Sequence, residues 1–344
     1  MSEDPYPPTM LQDKDVGMKL VTGGAGFIGS NIVASLCDRG DAVAICDRLR
    51  SDEKWRNIAG RDLVDIVAPE GLEAWLLVNG SRLDAVIHMG AISSTTEHDA
   101  DLITEVNFRL SLFLWRWCAE HGVPLIYASS AATYGNGSEG FDDDASRDAL
   151  SRLRPLNAYG WSKHLFDRRV QRALDEGEPA PPQWVGLKFF NVYGPNEYHK
   201  GGMKSVVAQK MPLAMAGQPV TLFASHHPDY PDGGQRRDFV FVEDCVNVVL
   251  WLLDNPRVSD LFNLGTGTDR SFAALAKAIF AALGAKPQIA FIDMPESIRE
   301  KYQYFTRARM DRLRAAGYDQ PFASIEDGVR AYVQEYLLQP DPYR

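Results

Sequence analysis

Short apolar runs alternating with amphipathic stretches set the first expectation for this chain. Met18-Lys-Leu-Val-Thr22 reads as a strand and leads directly into GGAGFIG. Ile28, Ile32, Val33 and Leu36 then recur at helical spacing, and Gly40 ends the pattern. AVAICD (42–47), LDAVIHMGA (83–91), VPLIYASS (123–130) and WVGLKFFNVYG (184–194) are β-branched or aromatic runs, with helical segments such as 102–121 and 157–175 between them. Strands alternating with helices predict an α/β architecture whose doubly wound parallel sheet is covered on both faces. The alternation loosens later: 195–238 is rich in Gly, Pro and His, while 271–284 and 324–338 read as helical.

Composition narrows the class. Of 344 residues, 45% are hydrophobic and 10% aromatic, enough for a full core and too many for wholesale disorder. A net charge of −10, with no basic stripe against it, argues against nucleic acid as a partner. No run approaches the ~18 continuous apolar residues of a membrane span. Residues 1–17 are polar, acidic and proline-containing, unlike a signal peptide. Cys37, Cys46, Cys118 and Cys245 form no CxxC motif, which fits the reducing cytoplasm. EGEPAPPQ (176–183) reads as a surface loop.

Gly23, Gly26 and Gly29 recur at GxxGxxG spacing between a predicted strand and a predicted helix. Glycine is needed where backbone turns tightly and approaches a pyrophosphate, and a helix N-terminus holds that anion with free N–H groups. Three glycines alone also describe an ordinary strand–helix turn. Asp47, ending the second strand, completes the dinucleotide pattern. Asp47 suits the ribose diol of NAD, whereas Arg48, Arg50 and Lys54 suit a 2′-phosphate; NADP is the expected cofactor, with NAD also usable. The expected organisation is an extension over 1–17, a Rossmann-type domain over 18–190 plus 236–267, and a smaller mixed α/β substrate lobe over 191–235 and 268–338.

Tyr159 and Lys163, in YGWSK, stand at i and i+4 on one helix face. A neighbouring ammonium favours phenolate, so the Tyr159 pKa is expected to fall from ~10 toward the working range. Exposed helix faces often carry YxxxK. Here it follows both the glycine motif and YASSAATY (127–134), which puts Ser129 or Ser130 at the carboxyl edge of the sheet, where ligands of open α/β sheets bind. His226-His227-Pro-Asp229 has no third metal ligand at a telling spacing and reads as a solvated loop. His88 reads as a satisfied core histidine, Trp115 and Trp117 as buried or at a subunit contact, and Asp142–Asp144 as a charged surface turn.

TGGAGFIGSN, the sheet-edge serines and YGWSK together resemble the extended short-chain dehydrogenase/reductase superfamily. From residue 18 onward, GAISSTTEHD (90–99), YASSAATYG (127–135), LNAYGWSKHLFD (156–167), FFNVYGPNEYHKG (189–201), RRDFVFVEDCVNVVLWLL (236–253), FNLGTG (262–267) and YQYFTRARMDRLRAAGYDQPF (302–322) resemble the ADP-L-glycero-D-manno-heptose 6-epimerase family. The resemblance implies a first acid/base at Tyr159 with Lys163 and Ser130, and a second at Lys200. It implies cofactor contacts from Phe27, Ile28, Asp47, Arg48, Lys54, Gly90, Ala91, Ser93 and Asn107. Ser130, Asn191, His199, Gly202, Gln209, Phe223, Ser225, Arg237 and Tyr302 map onto the substrate side. Three departures accompany it. Pro69 stands where some members carry a second basic residue, Gly202 and Gln209 replace a serine and a histidine, and ASHHPDYPDGGQ (224–235) is longer than in the shortest members.

The implied reaction inverts C6 of an ADP-linked heptose, for lipopolysaccharide precursor supply. That carbon has no adjacent carbonyl, so direct deprotonation is not feasible, and transient oxidation by bound NADP followed by re-reduction is expected. The resemblance also implies a homo-oligomer, with neither nucleic acid nor membrane as partner. A second reading is a 4-epimerase or 4,6-dehydratase of a hexose nucleotide; the dehydratases commonly place an acidic pair where this chain has Ser130-Ala-Ala-Thr-Tyr134. A third, a non-catalytic NAD(P)-sensing protein, has no use for the triad.

Overall fold

The computed structural model describes residues 17–50, 53–299 and 302–344, so the expected extension lies outside the described residues except for Gly17. In chain order the strands are β1 (Met18–Thr22), β2 (Ala42–Cys46), β3 (Asp65–Val67), β4 (Leu83–His88), β5 (Leu125–Ser130) and β6 (Trp184–Phe189). There follow β7 (Asn191–Tyr193), β8 (Val220–Phe223), β9 (Arg236–Phe241), β10 (Asp260–Leu264), β11 (Asp269–Ser271) and β12 (Ile289–Ile292). Seven of them form one sheet in the order β10-β6-β5-β4-β1-β2-β3, with every pair parallel.

The helices that matter here are α1 (Phe27–Asp38), α2 (Leu72–Asn79), α3 (Ala100–Ile103), α4 (Leu110–His121), α5 (Arg147–Arg152), α6 (Ala158–Asp175), α7 (Val206–Met215), α8 (Val242–Asp254) and α9 (Phe272–Ala282). Side chains alternate between the two faces of a strand. Val21, Ile87 and Ile126 therefore pack with Ile32, Val33 and Leu36 of α1 and Val246 and Val249 of α8. Their neighbours Leu20, Val86 and Leu125 pack the other way, onto Trp75 of α2, Trp115 and Trp117 of α4 and Phe166 of α6. β1, β2, β4, β5, β6 and β10 are buried on both faces, as their apolar runs require, while the edge strand β3 leaves Ile66 exposed. Trp115 and Trp117 are core residues, as their place in the helix suggested.

A second, smaller core joins Val207 and Met211 of α7, Val220 and Leu222 of β8, Leu275 and Ile279 of α9, and Val329 and Tyr332 near the C-terminus. It is bounded by a mixed sheet in the order β11-β9-β7 and a parallel pair β12-β8. Two readings of the sequence change here. The run 184–194 is not one strand: β6 ends at Phe189, and β7 begins at Asn191 in the other sheet. Residues 236–241, expected with the dinucleotide domain, form β9 of the mixed sheet, and the chain rejoins the large sheet only at β10. The Asp142–Asp144 turn is not wholly on the surface. Asp143 is buried, its Oδ2 accepts from Asn263 N at 2.7 Å, and burial raises its pKa to about 6.

Candidate active site

β1 ends at the turn that enters α1. Gly23 has φ +66°, and a Cβ there would stand 2.7 Å from Gly90 backbone atoms. A Cβ on Gly29 would stand 2.1 Å from the Gly23 carbonyl oxygen. Only glycine permits either approach. Gly26 N donates to Gly23 O at 2.9 Å and closes the loop, and Gly90 N donates to Thr22 Oγ1 at 3.1 Å. Gly26 caps α1 without a side-chain bond, and the first turn, starting at Phe27 and Ile28, holds no acid. A tight glycine cradle under a helix start uncapped by any side chain fits a dinucleotide pyrophosphate.

At the end of β2, Asp47 Oδ2 accepts from Ala25 N at 2.9 Å, while Oδ1 accepts from Arg48 N at 2.8 Å and Lys54 Nζ at 2.5 Å. Asp47 thus also braces the glycine loop, a role its sequence position did not reveal. Arg48 Nε donates to Glu70 Oε1 at 2.9 Å. The cation expected to meet a 2′-phosphate is paired with a carboxylate that motif reading missed, one residue beyond Pro69.

The 90–94 segment follows the end of β4. Ala91 is half-buried and Ser93 exposed. Asn107 is buried in a π-helical turn (Thr104–Arg109), where its Oδ1 accepts from Ile92 N at 2.8 Å and its Nδ2 donates to Ile92 O and Ser162 Oγ, both at 3.0 Å. Its amide is spent within the protein, so Asn107 shapes the segment and ties it to α6. His88 is the satisfied core residue expected of it. Its ring bonds Thr22 Oγ1 at 2.6 Å and Ser111 Oγ at 2.8 Å, and burial pushes its pKa down to about 3.

Of the two sheet-edge serines, Ser130 faces the phenol of Tyr159 and acts to lower its pKa, and its Oγ accepts from Ala132 N at 3.1 Å. Ser129 turns the other way and donates to Asp167 Oδ2 at 2.7 Å. Asn157 caps α6, its side chain accepting from Gly160 N at 2.8 Å, and so fixes where Tyr159 and Lys163 begin their shared face. The expected fall in the Tyr159 pKa does not occur in the protein alone. Burial raises it against the lowering effect of Ser130, while burial pushes Lys163 down to about 8. Desolvation decides the direction for both groups, because removing each from water disfavours its own charged form.

Lys200 belongs to a short helical turn (Tyr198–Met203) reached from β7. Its Nζ lies 5.3 Å from the centroid of the Phe27 ring, at the head of α1. Burial lowers its pKa, and Glu197 draws it part of the way back. His199 Nδ1 lies 3.2 Å from Asn57 Nδ2.

The remaining substrate-side residues divide into two sets. Phe223, Arg237 and Tyr302 assemble. Arg237 is buried, its guanidinium lying 5.4 Å from the Tyr302 ring and 5.7 Å from that of Phe272. Tyr302 packs edge-on to Phe223 and to Tyr304, and Tyr304 meets Tyr230 and His227 from the long 224–235 loop. This aromatic wall could not be read from spacing, since its members lie on three separate segments. Ser225, by contrast, closes its own turn, with its N donating to Asp232 at 2.7 Å and its Oγ to His227 O at 3.2 Å. Gln209 donates to Gly202 O at 3.1 Å and Lys204 O at 2.6 Å, so it secures the loop ahead of α7. Asn191 is exposed at the start of β7. His226 pairs with Asp293 at 2.8 Å.

The family model described as NAD dependent epimerase/dehydratase matches residues 19–265. An ADP-L-glycero-D-manno-heptose-6-epimerase of Nitratidesulfovibrio vulgaris (strain DP4) is 49% identical over 331 residues, spanning 95% of this chain and all of the relative. The crystal structure of the Helicobacter pylori ADP-L-glycero-D-manno-heptose-6-epimerase superposes with a TM-score of 0.77 at 26% identity, covering 94% of this chain and 98% of that one. A Thermus thermophilus UDP-glucose 4-epimerase, solved in complex with NAD, superposes with a TM-score of 0.69 at 29% identity, over 92% of this chain and 97% of that one.

Proposed function

The chain belongs to the NAD dependent epimerase/dehydratase family and, within it, to the ADP-L-glycero-D-manno-heptose-6-epimerases, and on that premise we propose how its own residues invert C6 of an ADP-linked heptose. The Gly23–Gly29 cradle would hold the cofactor pyrophosphate, Asp47 the ribose side and Arg48 the 2′-phosphate of NADP. The Arg48–Glu70 pair lies at the surface, where such pairs are worth only ~0–1 kcal/mol, so a phosphate can replace Glu70 while NAD stays usable. When bound, the nicotinamide would supply the oxidation and re-reduction of C6, and the C6 oxygen would occupy a different place for each configuration.

Tyr159 cannot come within hydrogen-bond reach (~2.6–3.2 Å) of both places. At the first, Tyr159 takes the hydroxyl proton when that configuration is oxidised and supplies one when it is formed, with Ser130 steadying the same oxygen and Lys163 favouring the phenolate. At the second, Lys200 handles the proton. The observation that carries this reading is Lys200 itself, a second basic group held over Phe27 and driven toward its neutral form by burial. C6 lies outside the sugar ring, so only the end of the heptose turns between the two half-reactions. Arg237, between Phe272 and Tyr302, offers positive charge to the ADP moiety. The same proposal places the enzyme in the cytoplasm as a homo-oligomer, supplying heptose for lipopolysaccharide precursors.

The test is to incubate the protein with the ADP-linked heptose of either C6 configuration and resolve the products. Lys200→Met is expected to abolish interconversion while retaining ADP-sugar binding. A raised dissociation constant with turnover intact at saturation would make Lys200 a binding residue instead.

A further inference from the structure

Lys188 is the penultimate residue of β6, in the run Trp184-Val-Gly-Leu-Lys-Phe189, and is 1% exposed. A lysine ammonium is expensive to bury, so its partners define its purpose. Nζ lies 2.8 Å from Asp167 Oδ2 and 2.7 Å from Thr133 Oγ1. Asp167 is equally buried, and the same Oδ2 accepts from Ser129 Oγ at 2.7 Å. Thr133 Oγ1 donates in turn to Ser130 O at 2.8 Å. On α6, Tyr159, Lys163 and Asp167 follow one another at spacings of four, along one face. The carboxylate therefore stands directly behind the two proton-handling groups. The turn that delivers Ser130 to Tyr159 is fastened to the lysine that neutralises it.

We propose that Lys188 is a positioning residue for the reaction: through Thr133 it fixes the turn that sets Ser130 against Tyr159, and through Asp167 it cancels the negative charge behind Tyr159 and Lys163. The proposal rests on the reading of Tyr159 as a proton-handling group. Several other charged or titratable groups face this cluster. His88 of β4 faces Lys163, and His164 of α6 faces Asp167 and Lys188. Tyr127 of β5 and Tyr134 of the following turn face Asp167, with Asp260 and Asp143 behind them. Asp167 itself raises both Tyr159 and Lys163. Removing the Lys188 charge leaves that carboxylate unopposed, so Tyr159 should give up its proton only at higher pH.

The experiment compares the pH dependence of kcat/KM for the full chain carrying Lys188→Met, Lys188→Arg, or Asp167→Asn with Lys188→Met, and includes Tyr159→Phe as a control. Lys188→Met should move the acidic limb upward by about one pH unit and lower kcat ~10-fold with KM unchanged. Lys188→Arg should keep the limb in place. The double variant should restore the limb but not the full kcat, because the Thr133 bond stays lost. If Lys188→Met does not fold, the arginine and double variants decide: unmoved limbs support the proposal and a shifted limb in either overturns it. A limb unmoved in Lys188→Met, or shifted equally by arginine and methionine, reduces Lys188 to core packing. Full activity in Tyr159→Phe would overturn the triad reading instead, a result separable from the others.

Discussion

Asn57 Nδ2 lies 3.2 Å from His199 Nδ1, across 142 positions of chain. The same amide reaches Ala25 O in the glycine loop at 2.9 Å and Asn196 O at 3.1 Å. Asn196 is itself buried and bonds Ser30 Oγ at 3.0 Å, and Arg344 N donates to Asn196 Oδ1 at 3.0 Å. The segment that carries Lys200 is thus stitched to the loop that would hold the cofactor, so the order of one depends on the order of the other.

Asn57→Ala removes that stitch. Losing buried hydrogen bonds should destabilise the chain by about 1–3 kcal/mol. With Lys200 less well placed, kcat is expected to fall ~10-fold or more. Thermal melts and product analysis check the two effects. A melt shift with kcat unchanged would confine Asn57 to the scaffold.

Tyr159→Phe keeps the ring and removes the ionisable oxygen. Turnover should drop ~10²–10⁴-fold, the usual worth of a positioned acid–base group. Circular dichroism should be unchanged, since the ring stays in place and Ser130 Oγ keeps its bond from Ala132 N. Near-normal turnover would remove the phenol from the chemistry.

Cofactor choice turns on Arg48 and Glu70. Arg48→Ala should weaken NADP more than NAD, because only NADP has a phosphate for the guanidinium. Glu70→Gln should do the reverse and tighten NADP, since it frees Arg48 from its carboxylate partner. A surface pair limits that gain to about fivefold or less. Calorimetric titration of the cofactor-stripped chain reads both, and equal changes for the two nucleotides would take Arg48 out of this role.

Lys163 carries a stability cost with a definite pH signature. Its pKa falls to about 8 in the folded chain, through burial first, against ~10.4 when unfolded. Below about 8 both states hold the proton, and the cost of burying the charge is present in full. Between the two values only the unfolded chain holds it, so stability should rise with pH across that window. Lys163→Met should therefore stabilise the cofactor-free protein by on the order of 1–3 kcal/mol at pH 7, abolish turnover and flatten the pH dependence. Melting curves at pH 7 and 9.5 test the sign; a destabilised variant at pH 7 would show that the ammonium is well paired when folded.

Much of this protein was determined by local pattern. Continuous apolar runs such as those of β1, β5 and β6 announce a parallel sheet, and the glycines at 26 and 29 are dictated by the Gly23 carbonyl a few residues before them, whereas Gly23 also meets the distant Gly90 backbone. YxxxK works the same way, because helical periodicity alone puts Tyr159 and Lys163 on one face. The tertiary structure decided what depends on residues distant in sequence. It chose Ser130 over Ser129, since only the docked α6 decides which serine meets Tyr159 and which meets Asp167. It paired Arg48 with Glu70, Lys188 with Asp167, and Asn57 with His199 and Asn196, and it sent 236–241 into the second sheet. It also raised the Tyr159 pKa that its lysine alone would lower. Burial is a property of the whole fold, and near the active site desolvation outweighs the short-range attractions that sequence spacing can foresee.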